Sequence, residues 1–213
     1  MKRLKVPFIP VLDVLDVTSI EPILEVQSSR DFISCANWSN YPYKPISAIN
    51  IARSKQNLYL RFCVEGNSLK ASYDTDNSPV HKDSCVEFFM KKVDDPYYIN
   101  FEFNCIGTCD AAHRLSREKK TAFTPEEYKS IIRYPSIPRK TFDEKKGIHR
   151  WSLIVVIPLK LMGLDPENLP KKIMGNFYKC ADETENPHFV SWSPIDLPEP
   201  DFHCPDFFGE IYL

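Results

Sequence analysis

The residues best suited to chemistry lie on two short segments in the middle of the chain, Ser84–Met90 and Tyr98–Cys105. Both alternate in side-chain character, and the Asp-Asp-Pro sequence between them indicates a turn, so we expect a β-hairpin. Because successive side chains of a strand point to opposite faces, Glu87 shares a face of the hairpin with Asn100 and Glu102. One face is therefore predicted to be apolar, and the other carries two carboxylates and amides.

Three interpretations of the polar face remain open at this point. The face could be the solvated outer side of a sheet, or it could form the floor of a ligand cleft. In the third interpretation its two carboxylates act as a catalytic pair. Glycoside hydrolysis needs two carboxylates roughly 5–10 Å apart, and in-register strands would bring Glu87 and Glu102 into that range. Each strand offers only one acidic residue, however, so binding is favoured over catalysis and we do not expect an enzyme.

Composition excludes several classes of function. The net charge of -2 gives no electrostatic reason to expect a nucleic acid or an anionic membrane as partner. No apolar run approaches the length of a membrane span, and the common nucleotide, zinc-protease and hydrolase motifs are absent. Histidines at metal-ligand spacing are also absent, so no metal site is predicted.

The cysteines and the N-terminus bear on cellular location. Seven cysteines, several of them inside strand-like segments, favour reduced thiols. The N-terminal segment is interrupted by prolines and aspartates and makes a poor signal peptide. We therefore expect a cytoplasmic protein, with a periplasmic or exported one as the alternative.

The polar hairpin must be positioned by further strands, and the sequence supplies them at close spacing. The clearest are Ala48–Ala52, Leu58–Val64, Arg150–Ile157 and Gly175–Ala181. Seven to ten short strands with few helices predict an all-β fold, an antiparallel β-sandwich.

Two short helices and one long loop complete the prediction. Residues Ser19–Gln27 could form one helix, and a Thr-Pro-Glu-Glu sequence beginning at Thr124 fits the capping box of another. We expect residues 1–213 to form a single domain, with 1–32 as an N-terminal extension and 109–147 as an irregular excursion. The proline-rich loop 193–208 is predicted to be functional because of its length.

Several segments together resemble carbohydrate-binding module family 9, in particular its stand-alone members. The matching pieces include Asp83–Phe89, Asn100–Asn104, Gly175–Asp182, Ser191–Ser193 and Pro205–Gly209. The resemblance covers roughly residues 33–213, and the order and spacing of the pieces are more specific than any one of them. It implies a β-sandwich with jelly-roll character that binds sugars and the ends of β-linked glucans and xylans.

The resemblance also implies a set of site residues. Glu87 matches the family's glutamate, while Glu102 stands where the family has an arginine. Two tryptophans clamp a sugar ring in the family, and their positions here hold Val80 and Phe202. The implied ligand-binding residues are Glu87, Glu102, Asn100, Lys179, Phe202, His203, His81 and Trp192.

In this interpretation the carboxylates accept hydrogen bonds from sugar hydroxyls. Lys179 donates and balances their charge, Phe202 stacks on the ring, and His203 and Trp192 line the rim. Calcium occurs in the family, and three acidic residues of one loop are candidates to hold it, although a solvated loop is favoured and no cofactor is assigned: Asp182, Glu183 and Glu185.

The sequence thus predicts non-catalytic binding of a glucan- or xylan-derived sugar in a cleft on one sheet face. The first alternative is a glycoside hydrolase that uses Glu87 and Glu102. The second is a protein-interaction module without sugar binding, which predicts an exposed apolar patch around Trp38, Tyr41 and Tyr43.

Overall fold

The computed structural model describes residues 1–213 as two β-sheets packed face to face. The strands are β1 (Arg3–Lys5), β2 (Ser29–Phe32), β3 (Cys35–Ala36), β4 (Ile46–Arg53), β5 (Asn57–Ala71), β6 (Cys85–Lys92), β7 (Tyr98–Asn104), β8 (Cys109–Arg114), β9 (Lys120–Ala122), β10 (Ile132–Pro135), β11 (Phe142–Pro158), β12 (Lys172–Ala181), β13 (His188–Ser191) and β14 (Gly209–Tyr212). The two helices are α1 (Glu21–Gln27) and α2 (Pro125–Ser130). Neither helix is both long enough and apolar enough to cross a membrane.

The larger sheet has the order β1-β14-β12-β6-β7-β8-β9, with β13 and β3 paired alongside β12. The smaller sheet has the order β10-β11-β5-β4-β2. Neighbouring strands are antiparallel except for β1 and β14. The predicted all-β sandwich is therefore confirmed.

The main core lies between the sheets and uses the apolar face of the β6–β7 hairpin. Phe88 and Phe101 point inwards from paired positions and stack with ring centroids 6.2 Å apart. Phe88 also stacks on Phe177 of β12 at 4.9 Å, and Phe62 of the smaller sheet contacts Phe177 edge-on. Because these strands alternate, burying this face commits their polar residues to the outer face of the larger sheet.

The loop 193–208 folds over that outer face and gives it a second apolar cluster. Aromatic side chains of the sheet and of the loop preceding β4 hold it in place. Trp38 Nε1 donates to the Leu197 carbonyl (2.8 Å) and Tyr178 Oη to the Phe202 carbonyl (3.2 Å). Tyr98 Oη lies 3.0 Å from His203 Nδ1. No backbone–backbone hydrogen bond joins residues 194–203 to a strand.

Helix α2 begins where the sequence predicts. Thr124 accepts a hydrogen bond from the Glu127 amide, and the Glu127 side chain accepts one from the Thr124 amide, so the capping box is present. Helix α1 packs on the outer face of the smaller sheet, where Leu24 is fully buried.

Two of the predicted segment boundaries are wrong. Residues 1–32 are not an extension, since β1 and β2 within them are edge strands of the larger and smaller sheets. Residues 109–147 are not an excursion either, because β8 and β9 extend the larger sheet while β10 and the start of β11 belong to the smaller one. Short strands with little apolar alternation cannot be predicted from their local sequence, because pairing with longer neighbouring strands stabilises them.

Candidate functional site

A cavity of about 230 Å³ lies on the outer face of the larger sheet, beside the loop 193–208. Strands β6, β7 and β12 form its floor, and the β8–β9 hairpin and the loop form its walls. Most of its lining is polar or charged. The lining residues are His81, Glu87, Phe89, Glu102, Asp110, Arg114, Arg117, Lys120, Cys180, Asp182, Phe189, Pro200, Asp201, Phe202 and His203.

Glu87 and Glu102 are directly opposed on the floor, as the predicted hairpin register requires. Glu87 is buried, and two thiols approach its Oε1: Cys180 Sγ at 3.1 Å and Cys85 Sγ at 3.8 Å. Burial raises the pKa of Glu87 well above its usual range, and the Glu102 carboxylate adds to the effect. The floor therefore holds one of its two acids more readily in the neutral form.

Glu102 has a different environment because a histidine and an amide face it. His81 Nδ1 lies 3.7 Å from Glu102 Oε2, and Asn100 Nδ2 donates to Oε1 at 3.0 Å. The neighbouring Glu102 carboxylate is the main cause that raises the pKa of His81, against the opposite effect of burial. His81 is partly exposed at the cavity, so it can donate to a ligand while Glu102 accepts.

Arg114 of β8 is a site residue that the sequence analysis missed. It is almost completely buried, and its Nε donates to Asn100 Oδ1 at 2.5 Å. A second nitrogen, Nη1, donates to the Arg117 carbonyl at 2.6 Å. Arg114 thus links the amide that orients Glu102 to the turn between β8 and β9. The segment Cys109–Arg114 shows no regular alternation, so no local signal marks the strand that carries Arg114.

Further acidic groups face the cavity from its walls. Asp182 Oδ1 is inaccessible to solvent and has no hydrogen-bond partner, and burial raises the pKa of Asp182 to about 6. Burial, followed by the nearby Glu102, also raises the pKa of Asp110. Lys120 Nζ lies 4.0 Å from Asp110. The carboxyl groups of Asp110 and Asp182 therefore lie beside Glu102 in the cavity and hold their protons more readily than solvent-exposed carboxyls do.

The loop wall presents two aromatic rings. Phe202 stacks on Tyr178 with centroids 4.1 Å apart, and only 9% of Phe202 remains exposed. His203 packs against the ring of Phe89 at 5.0 Å. Desolvation lowers the pKa of His203 to about 3, so the imidazole is neutral near pH 7.

The structure brings five of the predicted residues together at the cavity: His81, Glu87, Glu102, Phe202 and His203. Asn100 lies on the same face, fully buried, and contacts the cavity through Glu102.

The prediction that Lys179 faces Glu87 and Glu102 is wrong. Its register partner is Val86, so it lies on the inner face of the larger sheet. There its Nζ contacts the Cys180 carbonyl (2.6 Å) and His188 Nε2 (2.9 Å). The residues that face the carboxylates from β12 are its neighbours, Tyr178 and Cys180.

The prediction that Trp192 lines the rim is also wrong. Its side chain is fully buried in the main core, edge-on to Phe177 at 5.7 Å. Its Nε1 donates to Asp31 Oδ2 at 2.7 Å. Trp192 therefore anchors β2 to the core.

The apolar patch that would favour a protein-interaction module is not formed by the residues proposed for it. Trp38 is buried against the loop, and Tyr41 packs edge-on to Phe189 at 4.8 Å. Tyr43 accepts a hydrogen bond at its hydroxyl from the Asn67 amide.

The acidic residues considered for calcium are engaged elsewhere or lie apart. Glu183 pairs with Lys82 at 2.8 Å, and Glu185 pairs with Lys146 at 2.8 Å. Asp182 lines the cavity instead.

Comparison with known proteins identifies relatives of the whole chain. The family model described as "Carbohydrate-binding family 9" matches residues 21–213. A crystal structure from Bacteroides uniformis, provisionally described as a carbohydrate-binding protein, is 33% identical with a TM-score of 0.92, covering 99% of this chain and 98% of that one. A search of curated proteins finds no match.

Two further structures share the fold at lower identity. Both are family 9 carbohydrate-binding modules from Caldicellulosiruptor kristjanssonii, one in complex with glucose and one with cellotriose. Each is 12% identical with a TM-score of 0.60 and covers 99% of this chain. The alignments cover 95% of the glucose-bound chain and 93% of the cellotriose-bound chain.

Proposed function

Since the chain belongs to carbohydrate-binding family 9, we propose that its cavity binds a saccharide and does not cleave it. The ligand is one sugar unit, free or at the end of a β-linked glucan or xylan chain. The observation that carries the proposal is the polar cavity itself, in which carboxylates and cations converge on the outer face of the larger sheet.

The size of the cavity limits the ligand. At about 230 Å³ it is smaller than the roughly 300–1,000 Å³ typical of pockets for drug-sized ligands. One sugar ring fills such a space, and a longer chain must extend past the rim. The polar lining suits a ligand whose surface is mostly hydroxyl groups.

The side chains around the cavity make different kinds of contact with the ligand. Glu102 accepts hydrogen bonds from hydroxyls, and the His81 imidazole beside it donates. Asp182 lines the wall of the same cavity and adds another carboxyl group. Phe202 supplies an apolar wall, but Tyr178 covers one face of its ring, so no sugar is held between two aromatic faces. We expect dissociation constants from millimolar to tens of micromolar, about -4 to -6 kcal/mol.

The position of the two floor carboxylates favours binding over hydrolysis. Glycosidases place their acids on either side of the scissile bond. Glu87 and Glu102 are instead neighbours on adjacent strands of one floor, and Glu87 is buried beneath thiol donors. A ligand above this floor meets both acids from the same side.

Isothermal titration with glucose, xylose, cellobiose and cellotriose tests the proposal. Replacing Glu102 by Gln keeps the shape and removes a charge-assisted acceptor, so the affinity for the bound sugar should fall about tenfold. Asp182→Asn should also weaken binding. Glu25→Gln, on an exposed position of α1 against the other sheet, is the matched control and should bind as the wild type does.

The proposal would be contradicted if none of the four sugars gave a heat of binding. It would also be contradicted if both cavity variants bound the sugar with unchanged affinity. Chromatography of the cellotriose mixture after long incubation provides a second readout. Appearance of shorter products that Glu87→Gln abolishes would replace binding by hydrolysis.

A further inference from the structure

Two cysteines and a glutamate meet at the floor of the cavity, where saccharide binding assigns the thiols no role. Cys85 of β6 and Cys180 of β12 are directly opposed across the strand pair. Glu87 follows two residues after Cys85 and therefore lies on the same face. The two sulfur atoms and one carboxylate oxygen all lie within 4.8 Å of one another.

The spacing of these atoms is close to that of a metal's coordination shell. Zinc binds thiolate sulfur at about 2.3 Å and carboxylate oxygen at about 2.0–2.2 Å, so tetrahedral ligands stand roughly 3.5–3.8 Å apart. Here Glu87 Oε1 lies 3.8 Å from Cys85 Sγ and 3.1 Å from Cys180 Sγ. Both sulfur–oxygen distances come within about half an ångström of that spacing, and the paired strands already fix the three Cα positions.

Hydrogen bonding alone gives a less satisfactory account of the cluster. Both thiols approach the same oxygen of Glu87, and each also lies near one backbone carbonyl, that of Val86 for Cys85 (3.8 Å) and that of His81 for Cys180 (3.7 Å). A thiol is a weak donor to any of these acceptors. All three side chains are buried, at 2% exposure or less. A carboxylate in such surroundings gains far more from a cation than from two sulfhydryl groups.

We propose that Cys85, Glu87 and Cys180 form a site for one thiophilic divalent ion, zinc being the natural candidate. Two thiolates favour zinc over calcium and magnesium, which prefer oxygen ligands. Each thiol releases its proton to solvent when the ion binds.

The three ligands leave one tetrahedral position open. Glu87 and Cys180 line the cavity, whereas Cys85 lies beneath it. The open position therefore faces the cavity, where a water or a ligand hydroxyl completes the coordination. The ion would form part of the surface on which a ligand rests.

Cobalt(II) is the probe for this site, because its thiolate complexes absorb in the near ultraviolet and its tetrahedral complexes absorb strongly in the visible. Fully reduced, metal-free protein is titrated with Co²⁺ under argon. We expect both sets of bands to saturate at one ion per chain, and Zn²⁺ to displace the cobalt. Wild type without thiolate–cobalt bands would overturn the proposal.

Variants assign the ligands, each checked for folding by its thermal transition before the titration. Cys180→Ser should lose the tetrahedral spectrum, and the isosteric Glu87→Gln should keep thiolate bands but weaken zinc affinity at least tenfold. Cys63→Ser, on the smaller sheet, is the matched control and should titrate as the wild type does. An unchanged spectrum in Cys180→Ser, or its loss in Cys63→Ser, would place the metal elsewhere. The readout contains no sugar, so it stands independently of the saccharide titrations.

Discussion

Replacement of Arg114 should lower the stability of the fold, because this cavity residue joins two strands and a turn through its hydrogen bonds. It is 4% exposed, and its guanidinium donates to Asn100 Oδ1 at 2.5 Å and to the Arg117 carbonyl at 2.6 Å. Hydrogen bonds from a charged group contribute about 1.5–3 kcal/mol each, so loss of both in Arg114→Met should reduce the free energy of unfolding by about 3–6 kcal/mol. Methionine preserves the packing of the stem, which isolates the polar contribution.

Urea unfolding followed by tryptophan fluorescence measures this loss. Arg114→Lys keeps the positive charge but loses the planar guanidinium, which donates in two directions at once. It should therefore recover at most about half of the stability that Arg114→Met loses. Arg139→Met, at an exposed position, should stay within about 0.5 kcal/mol of wild type. In an Asn100→Ala background the cost of Arg114→Met should shrink by about 1–3 kcal/mol, because the two residues are coupled. A loss below about 1 kcal/mol, or a lysine variant equal to wild type, would refute the reasoning.

Three further outcomes follow from buried contacts. Gly209→Ala should destabilise the protein by about 1–3 kcal/mol in thermal melts, because a Cβ there would overlap Trp192 Cζ3 and lie 2.9 Å from the Lys2 carbonyl. A neutral result would contradict this packing. Trp192→Phe should lower stability by about 1–3 kcal/mol yet leave sugar affinity unchanged. A large loss of affinity would show that Trp192 contributes to sugar binding after all. Desolvation, followed by the charge of Lys179, lowers the pKa of His188 to about 3. Since the unfolded histidine has a pKa near 6.5, the unfolded chain binds a proton below that pH and the folded chain does not. The free energy of unfolding therefore decreases as the pH falls from about 6.5 towards 3. His188→Gln should therefore lose about 2 kcal/mol less than wild type between pH 7 and pH 5; equal losses would show that the imidazole does not stay neutral.

The part of the site that was predictable from sequence is the part that local periodicity determines. The alternation of the two hairpin segments placed Glu87 and Glu102 together on one face, and the strands pair in the expected register. The capping box of α2 is equally local and begins at Thr124 as predicted. Both depend on residues close together in the chain.

Lys179 shows why the remainder needed the structure. Aromatic residues occupy both faces of its strand, with Phe177 on one and Tyr178 on the other, so the segment alone does not reveal which face is internal. Pairing of Lys179 with Val86 decides it. Arg114 was missed for a related reason, because the short strand that carries it depends on pairing with β7 rather than on its own pattern.

The way in which the loop 193–208 is attached has a kinetic consequence. Its central residues are fastened by aromatic side chains through Trp38, Tyr98 and Tyr178, and no strand ladder includes them. A segment held in this way can detach at a fraction of the free energy needed to unfold the sheets. Its amides should exchange with deuterium long before those of β6 and β7. Detachment of the loop would open the wall that contains Phe202, so this wall of the cavity should be less stable than its floor of paired strands.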